Sequence, residues 1–425
     1  MSGNAANVTE NLMTLLAILI FTGVICVKII QHIPIPDVVL FIFAGIFLGP
    51  SFLNILNFDQ YTTGNHLILT FGAAYILYDG GREVQLHVLN KVKTSVFTLS
   101  TVGVLVSSFI TAFFAYKILN IDFMSALLLG SVIASTDPSV LVPLFKTINI
   151  SNKVKQTIIS ESAFNDAAGA IITFAIIGII QGGNFSLGNS VIKLITTAGG
   201  GILIGLLVGY SITVLLSDKK YNFLQGHSAE VAIASILGAY VLAERLGFSG
   251  FMATFMVGMV CGNKQIFNLK MAKENLSLHV NFKDTFISLL RIMIFITLGT
   301  QIDFVLLGQY WVQALIIILL FMFIARPVSV FISVMFDKKA EWKLNELLYL
   351  MWTRETGVIP AALAGMIISL KINNAPIISA VTFMAIIITL TFQASTAKYV
   401  AKLLKLEEAV IKENIITVKD EVSAN

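Results

Sequence analysis

Charged residues are scarce in this chain. Aspartate, glutamate, lysine and arginine together make up 12% of the 425 residues, whereas hydrophobic residues make up 56%. A chain of this composition cannot cover its surface with polar groups in water. The composition therefore excludes a soluble globular protein and predicts a polytopic membrane protein.

Cysteine clusters, histidine pairs and nucleotide motifs are also lacking. The two cysteines, Cys26 and Cys261, stand far apart in apolar surroundings, and the five histidines form no HxxxH pair. These spacings disfavour a disulfide framework and a metal or haem centre. No Lys-Ser/Thr pair follows the glycine-rich stretch 196–209, so it is not a phosphate-binding loop. We therefore expect no cofactor, no nucleic-acid partner and no enzyme.

Long apolar runs are what the chain does contain. A helix needs about 20 apolar residues to cross a bilayer. The first ten residues lack the basic region of a signal peptide, so we expect the first run to remain as a span. Thirteen spans are predicted, at 11–30, 36–57, 65–80, 94–117, 122–145, 155–181, 189–216, 228–243, 248–262, 282–300, 309–335, 345–370 and 376–400.

The basic residues predict the orientation. When successive loops are assigned to alternate sides, one side collects 21 of the 28 lysines and arginines and the other collects 4, with three inside spans. Basic loops mark the cytoplasmic side. The pattern predicts an N-terminus outside, a cytoplasmic C-terminus, an odd number of spans and a short cytoplasmic tail over 401–425.

The span at 155–181 carries polar groups in its first half. Ionisable groups at membrane depth cost about 3 kcal/mol each, so they persist mainly where they have a function. Helical geometry places Glu161 and Asn165 on one face and Ser162 and Asp166 on the neighbouring face. One face can contact a fixed partner charge while the other contacts a ligand. The alternative is that these groups cap the helix at the water interface.

The span at 122–145 is interrupted by Pro138, which Asp137 precedes. Proline removes a backbone donor and pushes the preceding residue out of helical geometry. A break here frees carbonyl groups near Thr136, which is tolerated only where the backbone lines a cavity or is buried in protein. A simple proline kink absorbed by neighbouring helices is the alternative.

The span at 345–370 combines charge, glycine and proline in the same way, with Arg354, Glu355, Gly357 and Pro360. Spans one to six and spans eight to thirteen form two sets of six. The span at 345–370 is the fifth of the second set, and the span at 122–145 is the fifth of the first. Interrupted spans at corresponding places of two halves point to a transporter with inverted repeats. We therefore predict one transmembrane unit with repeat one over about 11–181, a linking helix over about 189–216 and repeat two over about 228–400.

A further intramembrane charge is Arg326, in the fourth span of the second set. A guanidinium stays protonated and needs an anionic partner inside a membrane. We assign Glu161 as that partner and expect Asn165 to occupy the remaining donors. Asp166 is then the carboxylate without a fixed counter-charge, and such a group binds either a proton or a cation. Competition of two ions for one site, combined with alternating access, gives exchange.

Oxygen atoms surround this carboxylate in the predicted arrangement. Asp166, Ser162, Asp137 and Thr136 supply hard oxygen ligands, which suit an alkali cation and not a soft metal. We therefore predict a site for an alkali cation or a proton formed by these four residues, supported by Glu161.

The motifs ASTDPSVLVPLF and ESAFNDAAGAIITF resemble the paired motifs of NhaP-type sodium/proton antiporters, the Asn-Asp branch of the monovalent cation:proton antiporters. FITLG at 295–299, IARP at 324–327 and GVIPAALAG at 357–365 follow in the order that this family shows. The resemblance covers essentially the whole chain. It implies thirteen helices in two inverted six-helix repeats with two broken, crossing helices, and a homodimer whose mobile core works against a dimerisation domain.

The resemblance also implies residue roles. In that family the aspartate matching Asp166 binds the ion, aided by the positions matching Thr136, Asp137 and Ser162. The glutamate matching Glu161 pairs with the arginine matching Arg326, beside the asparagine matching Asn165. Asparagine in place of a second aspartate resembles the electroneutral branch, which exchanges one proton per sodium ion.

The chain departs from this family at one place. Many relatives carry arginine directly before the glycine of the second broken helix, where this chain has Thr356; Arg354 stands two residues earlier, with Glu355 between them. Asp79 stands where many relatives carry an acidic residue. It is interpreted either as a secondary group on the ion path or, with slight preference, as an interfacial carboxylate.

Several functions remain open at this point. A Na⁺/H⁺ antiporter of the plasma membrane, acting in pH homeostasis, is the leading hypothesis. A K⁺/H⁺ antiporter, or an antiporter that takes Li⁺, differs only in cavity size and ligand number. A cation channel would need a repeated filter or an acidic ring, and an aspartyl enzyme built on Asp137 and Asp166 would need two carboxyl groups that share a proton.

Overall fold

The computed structural model describes residues 2–32, 37–58, 61–136, 145, 148, 150–181, 187–217, 224, 227–267, 269, 273–335 and 337–407. Over these residues the chain is helical and forms no sheet. The α-helices are Ser2–Ile30 (α1), Asp37–Leu48 (α2), Thr62–Glu83 (α3), Leu86–Thr98 (α4), Val104–Leu119 (α5), Phe123–Ile133 (α6), Asn152–Ile180 (α7), Leu187–Leu215 (α8), Ser228–Arg245 (α9), Gly250–Gly262 (α10), Lys273–Thr300 (α11), Phe304–Leu320 (α12), Arg326–Val334 (α13), Leu344–Trp352 (α14), Val358–Ser369 (α15), Ala375–Ile388 (α16) and Ser395–Leu403 (α17).

The predicted all-α polytopic fold is confirmed, because each predicted span overlaps at least one of these helices, in the predicted order. The described residues include six helical stretches that are long and apolar enough to cross a membrane: Val8–Ile30, Leu86–Leu119, Asn152–Ile180, Ile195–Leu215, Phe304–Val334 and Ala375–Leu403. Shorter apolar helices, among them α6 and α15, lie where the sequence predicts interrupted spans.

Three of the long stretches contain a π-helical turn. The turns are Leu99–Gly103 between α4 and α5, Phe321–Ala325 between α12 and α13, and Thr389–Ala394 between α16 and α17. The first two fall in the fourth span of each predicted repeat. π turns add a residue to the helical ladder and occur often at functional sites.

The helices pack as two groups. The frame group consists of α1–α3 and α8–α11, and the core group consists of α4–α7 and α12–α17. Packing within each group is extensive, for example between α3 and α10 and between α12 and α16. Fewer helices meet across the boundary, where α3, α8 and α10 approach α7, and α15 approaches α3 and α11.

Glycines bring the backbones of α3 and α10 into contact inside the frame group. A Cβ atom at Gly258 would lie 2.0 Å from the Tyr78 carbonyl oxygen, and one at Gly81 would lie 2.2 Å from the Phe255 carbonyl oxygen. Such distances are too short for any side chain, and backbone atoms cannot rotate away. The sequence therefore places glycine where membrane helices pack most closely.

We expect Gly258→Ala to destabilise the protein by about 2 kcal/mol or more, since overpacking forces backbone shifts of that cost. The matched control is Gly238→Ala in α9, because a Cβ at Gly238 meets nothing within 4 Å. Alanine favours a helix over glycine by about 1 kcal/mol, so the control should be neutral or stabilising. Thermal unfolding of both detergent-purified variants measures the difference, and equal melting temperatures would contradict the close packing.

Candidate functional site

The first interrupted helix is α6, which ends at Ile133. Ala134 still has helical backbone angles, and Thr136 is the last residue described before position 145. Asp137 and Pro138, to which the sequence assigned a ligand and the break, lie outside the described residues. What the structure shows is that the helix ends before the Thr-Asp-Pro motif.

The second interrupted helix consists of α14 and α15, with residues 353–357 between them. Pro360 lies in the first turn of α15, where its missing N–H has no helical partner to lose. The break is held by the last long stretch: the Thr356 N–H donates to Thr389 Oγ1 at 3.0 Å, and Gln393 Nε2 donates to the Trp352 carbonyl at 2.7 Å. Both sequence-predicted interruptions therefore fall where α-helix ends.

Asp166 lies in the unbroken helix α7, beside the end of α6. Its carboxylate accepts a hydrogen bond from Ser135 Oγ at 2.9 Å, and the residue is only 2% exposed. Ser135 belongs to the non-helical residues that follow Ala134. The end of the first broken helix thus supplies a hydroxyl directly to the carboxylate.

The Asn165 side chain binds Thr136, which follows the end of the same broken helix. Its Oδ1 accepts from the Thr136 N–H at 3.1 Å, and its Nδ2 donates to Thr136 Oγ1 at 2.8 Å. The expectation that Asn165 occupies the remaining donors of Arg326 is wrong. The reason is that the end of α6 leaves the Thr136 backbone without a helical partner, and the amide side chain satisfies both polar atoms at once.

Glu161 and Arg326 form a buried ion pair between α7 and the start of α13. Arg326 Nη1 and Nη2 contact the two Glu161 carboxylate oxygens at 2.5 and 2.9 Å. Both residues are at most 2% exposed. The other Arg326 donors, Nε and Nη2, reach the Leu350 carbonyl of α14 at 3.0 and 2.8 Å. A bidentate pair of this kind fixes the positions of both side chains.

Arg354 reaches from the second break to the first broken helix. Its Nη2 donates to the carbonyl of Ala134, its Nη1 lies 3.8 Å from Glu161 Oε1, and its guanidinium sits 5.1 Å from the centre of the Phe321 ring. Cations are favourable at helix C-termini. Arg354 and Arg326 therefore each contact a carbonyl near the C-terminal end of a broken helix, α6 and α14 respectively, with Glu161 between the two guanidinium groups.

Three more of the predicted residues lie in the same buried region. Ser162 is buried, and its Oγ has no hydrogen-bond partner among the described residues. Glu355 and Thr356 are fully buried in the second break, next to Arg354. Asp79 is elsewhere: it is buried in the frame group and forms an ion pair with Lys283 of α11 at 2.8 Å. Asp79 is not among the residues that line the cavity described next.

A small cavity lies beside Asp166. Asp166 and Thr136 supply its polar lining, and the rest is apolar: Ala73, Ile76 and Leu77 of α3, and Val358 and Ile359 of α15. α3 belongs to the frame group, whereas α15 and Asp166 belong to the core group. The cavity therefore lies at the boundary between the two groups.

Ser135 is the polar neighbour that sequence reasoning left out of the site. The sequence located the break near it but offered no sign that its hydroxyl points at Asp166. Thr389 was also missed, because a threonine in a long apolar span commonly bonds its own helix. Thr389 does so, to the Ala385 carbonyl at 2.8 Å, and accepts from Thr356 as well.

The assembled site is a buried carboxylate between two broken helices, with hydroxyl oxygens beside it and a fixed ion pair one turn away. Discontinuous helices that meet an ionisable group near a boundary between helix groups define a secondary transporter. The fold and the site thus place the protein in the class of polytopic ion transporters.

Comparison with known proteins gives the family. A family model described as "Sodium/hydrogen exchanger, transmembrane" matches residues 15–403, and the chain belongs to this family. The chain is 31% identical over 359 residues to Na(+)/H(+) antiporter 1 of Methanocaldococcus jannaschii, covering 82% of this chain and 81% of that protein. It is similar in structure to the sodium proton antiporter MjNhaP1 of the same organism, with a TM-score of 0.77, 28% identity, and coverage of 94% of this chain and 100% of that one.

A more distant relative carries a different ion in its name. The chain is 25% identical over 397 residues to K(+)/H(+) antiporter NhaP2 of Shewanella oneidensis, covering 92% of this chain and 66% of that protein. The resemblance to NhaP-type antiporters that the motifs indicate is therefore confirmed by family, relatives and fold.

Proposed function

We propose that this protein exchanges Na⁺ for H⁺ across the membrane. The two ions compete for the Asp166 carboxylate, and one Na⁺ moves for one H⁺. The observation that carries the proposal is the buried Asp166 carboxylate, in contact with Ser135 and open to a cavity between two helix groups. A carboxylate in that position is either protonated or bound to a cation, and never both.

The neighbouring oxygens support a cation of the alkali class. Ser135 Oγ bonds Asp166, Thr136 lines the same cavity, and Ser162 Oγ is buried one turn earlier in the same helix. Hydroxyl and carboxylate oxygens bind hard cations. Glu161 is paired with Arg326, and we assign the transported ions to Asp166.

Alternating access is supported by the packing. The cavity has one wall in the frame group and one in the core group, so movement of one group past the other opens it to different sides. Secondary transporters work by such rigid-body movements around a fixed site. We propose that the core group moves, carrying Asp166 and both broken helices.

Several further features belong to the same proposal. The distribution of lysine and arginine supports an N-terminus outside and a cytoplasmic C-terminus. The π turns in the fourth span of each half support two repeats over about 11–181 and 228–400, joined by a helix over about 189–216. A homodimer in the plasma membrane, acting in pH homeostasis, rests on the family resemblance.

K⁺/H⁺ exchange is the second candidate, since the relatives include a protein named as a K⁺/H⁺ antiporter. The deciding experiment uses purified protein in liposomes with a pH-sensitive dye inside. A pulse of Na⁺, Li⁺ or K⁺ outside should discharge the pH gradient with Na⁺ most effective, and a potential clamped with valinomycin should leave the rate of one-to-one exchange unchanged. A response to K⁺ alone, or a rate that follows the potential, would overturn Na⁺ specificity or electroneutrality respectively.

Ser135→Ala is expected to raise the Na⁺ concentration for half-maximal exchange about tenfold. A hydrogen bond to a charged group contributes about 1.5–3 kcal/mol, and 1.4 kcal/mol corresponds to a factor of ten. The matched control is Ser131→Ala, one turn earlier in α6, whose hydroxyl bonds Thr173 at 2.9 Å and not Asp166. The dye assay with a Na⁺ titration gives both values, and equal values would argue against a role of Ser135 at the carboxylate.

A further inference from the structure

The segment Glu83–Leu86 is one of the connections through which the chain passes between the frame group and the core group. α3 ends at Glu83 and α4 begins at Leu86. Between them Val84 and Gln85 are extended, with ψ angles of 121° and 106°. Two extended residues between two helices are a place where backbone rotation changes the angle between rigid bodies.

Gln156 of α7 binds this segment from the core group. Its Nε2 donates to the Glu83 carbonyl at 2.9 Å, and its Oε1 accepts from the Gln85 N–H at 2.8 Å. The side chain is almost completely buried, at 1% exposure. One amide side chain thus pairs with the backbone as a neighbouring strand would.

Asn263, which follows α10, binds the same segment from the frame group. Its Nδ2 donates to the Val84 carbonyl at 2.7 Å, and its Oδ1 accepts from the Leu86 N–H at 3.2 Å. The same Nδ2 also donates to the Met259 carbonyl at 2.9 Å, which ties the side chain to its own helix end. The two amides alternate along four consecutive residues.

Each amide bridges the boundary between the groups. Gln156 moves with the core group but holds Glu83, the last residue of a frame helix. Asn263 belongs to the frame group but holds Leu86, the first residue of a core helix. A displacement of one group relative to the other stretches both sets of hydrogen bonds.

The connection between α11 and α12 is built differently. Its residues 301–303 contact the frame group: Gln301 Nε2 donates to Asn65 Oδ1 at 3.1 Å, and Ser51 Oγ donates to the Ile302 carbonyl at 2.9 Å. Ser51 and Asn65 both precede α4 in the chain and lie with the frame helices. The paired amides at Glu83–Leu86 therefore join the two groups, whereas these contacts at 301–303 stay within one.

We infer that Glu83–Leu86 is a hinge of the transport cycle and that Gln156 and Asn263 are positioning residues that latch it in the present conformation. The inference rests on the proposed alternating access. Removing either amide leaves backbone groups of the hinge unpaired in this conformation and lowers its population relative to the other. The shift is about tenfold in the ratio of the two conformations, as expected for two hydrogen bonds.

The test measures the conformational ratio directly. Spin labels are attached to cysteines that replace Leu246 in the frame group and Phe123 in the core group, in a protein with Cys26 and Cys261 changed to alanine. Pulsed electron resonance then gives the distribution of distances between the labels. Gln156→Leu and Asn263→Leu should each decrease the population at the distance of the present conformation and increase the population at a second distance.

The matched control is Asn345→Leu. The Asn345 amide also bonds a backbone carbonyl, that of Leu404 at 3.1 Å, but both residues belong to the core group. Its distance distribution should match that of the parent protein. Unchanged distributions in the Gln156 and Asn263 variants, or an equal change in the control, would overturn the latch. Where a leucine variant does not fold, Gln156→Glu and Asn263→Asp keep the acceptor and should give smaller shifts of the same sign.

Transport gives a second readout that loss of stability alone would not produce. The apparent affinity for an ion becomes weaker when a smaller fraction of the protein is in the conformation that binds the ion. The KM for Na⁺ measured in right-side-out vesicles and that measured in everted vesicles should therefore shift in opposite directions, each by about twofold or more. Shifts of both KM values in the same direction would contradict the latch. Absence of exchange in the parent protein would instead contradict the proposed function, while the distance measurement still decides on the hinge.

Discussion

Replacing Asp166 with asparagine is expected to reduce Na⁺-driven proton movement to that of protein-free liposomes. The amide keeps the size of the side chain and can still accept the hydrogen bond from Ser135. It has no negative charge to hold Na⁺ and no proton to exchange at any pH of the assay. Competition between the two ions for one carboxylate therefore ends, whatever the conformational movements still do.

The matched control for this variant is Asp284→Asn. Asp284 is a carboxylate of α11 whose side chain is about half exposed, and it lies 3.4 Å from Lys283. Its removal should leave exchange within about twofold of the parent protein, because exposed ion pairs contribute little. Exchange that persists in Asp166→Asn, in protein that is folded, would place the transported ions at another group.

Ligand-dependent stability separates loss of binding from loss of movement. A ligand that binds only the folded protein stabilises it by about 2.7 kcal/mol at a hundred times its Kd. Na⁺ should therefore raise the melting temperature of the parent protein and of Asp284→Asn, and leave that of Asp166→Asn unchanged. An equal rise in all three would show that Na⁺ binds without Asp166.

The sequence could predict the spans and most of the site because two physical constraints act on single residues. Apolar length marks a span whatever surrounds it, and a charge inside a span requires a partner. The second constraint led from Arg326 to Glu161, 165 positions away in the chain, and these two side chains are in contact. The same constraint marked Arg354 as a charge inside a span, but it did not predict the contact of Arg354 with the Ala134 carbonyl.

What the sequence could not predict depends on how the helices rotate against one another. Helical spacing places Glu161 and Asn165 on one face, which suggested a common partner. In the structure they have different partners. This face of α7 contacts Arg326 at Glu161, and one turn later it contacts the end of α6 at Asn165. Gln156 gave no signal at all, since a glutamine near the start of a helix is an ordinary solvent-facing residue until its neighbours are known.

The largest effect on folding is expected from Glu161→Ala. Arg326 and Arg354 are both essentially inaccessible, and Glu161 is the carboxylate that contacts both guanidinium groups. Removing one partner of a buried ion pair costs about 3–5 kcal/mol because the other charge stays buried without compensation. The variant should melt far below the parent protein and yield little folded material, in contrast to Asp166→Asn.

Two comparisons test whether the cost comes from the stranded charges. Glu346→Ala breaks the pair between Glu346 and Lys153, whose side chain is a quarter exposed, and the hydrogen bond that Glu346 accepts from the Lys343 N–H at the start of α14. It should cost about 1–2 kcal/mol, less than Glu161→Ala. Adding Arg326→Gln to Glu161→Gln removes both charges of the buried pair and should recover part of the stability that Glu161→Gln loses alone, because couplings within one network are not additive. A Glu161→Ala protein that melts like the parent would mean that the arginines are held by the Leu350 and Ala134 carbonyls alone, and that the ion pair does not keep the two broken helices together.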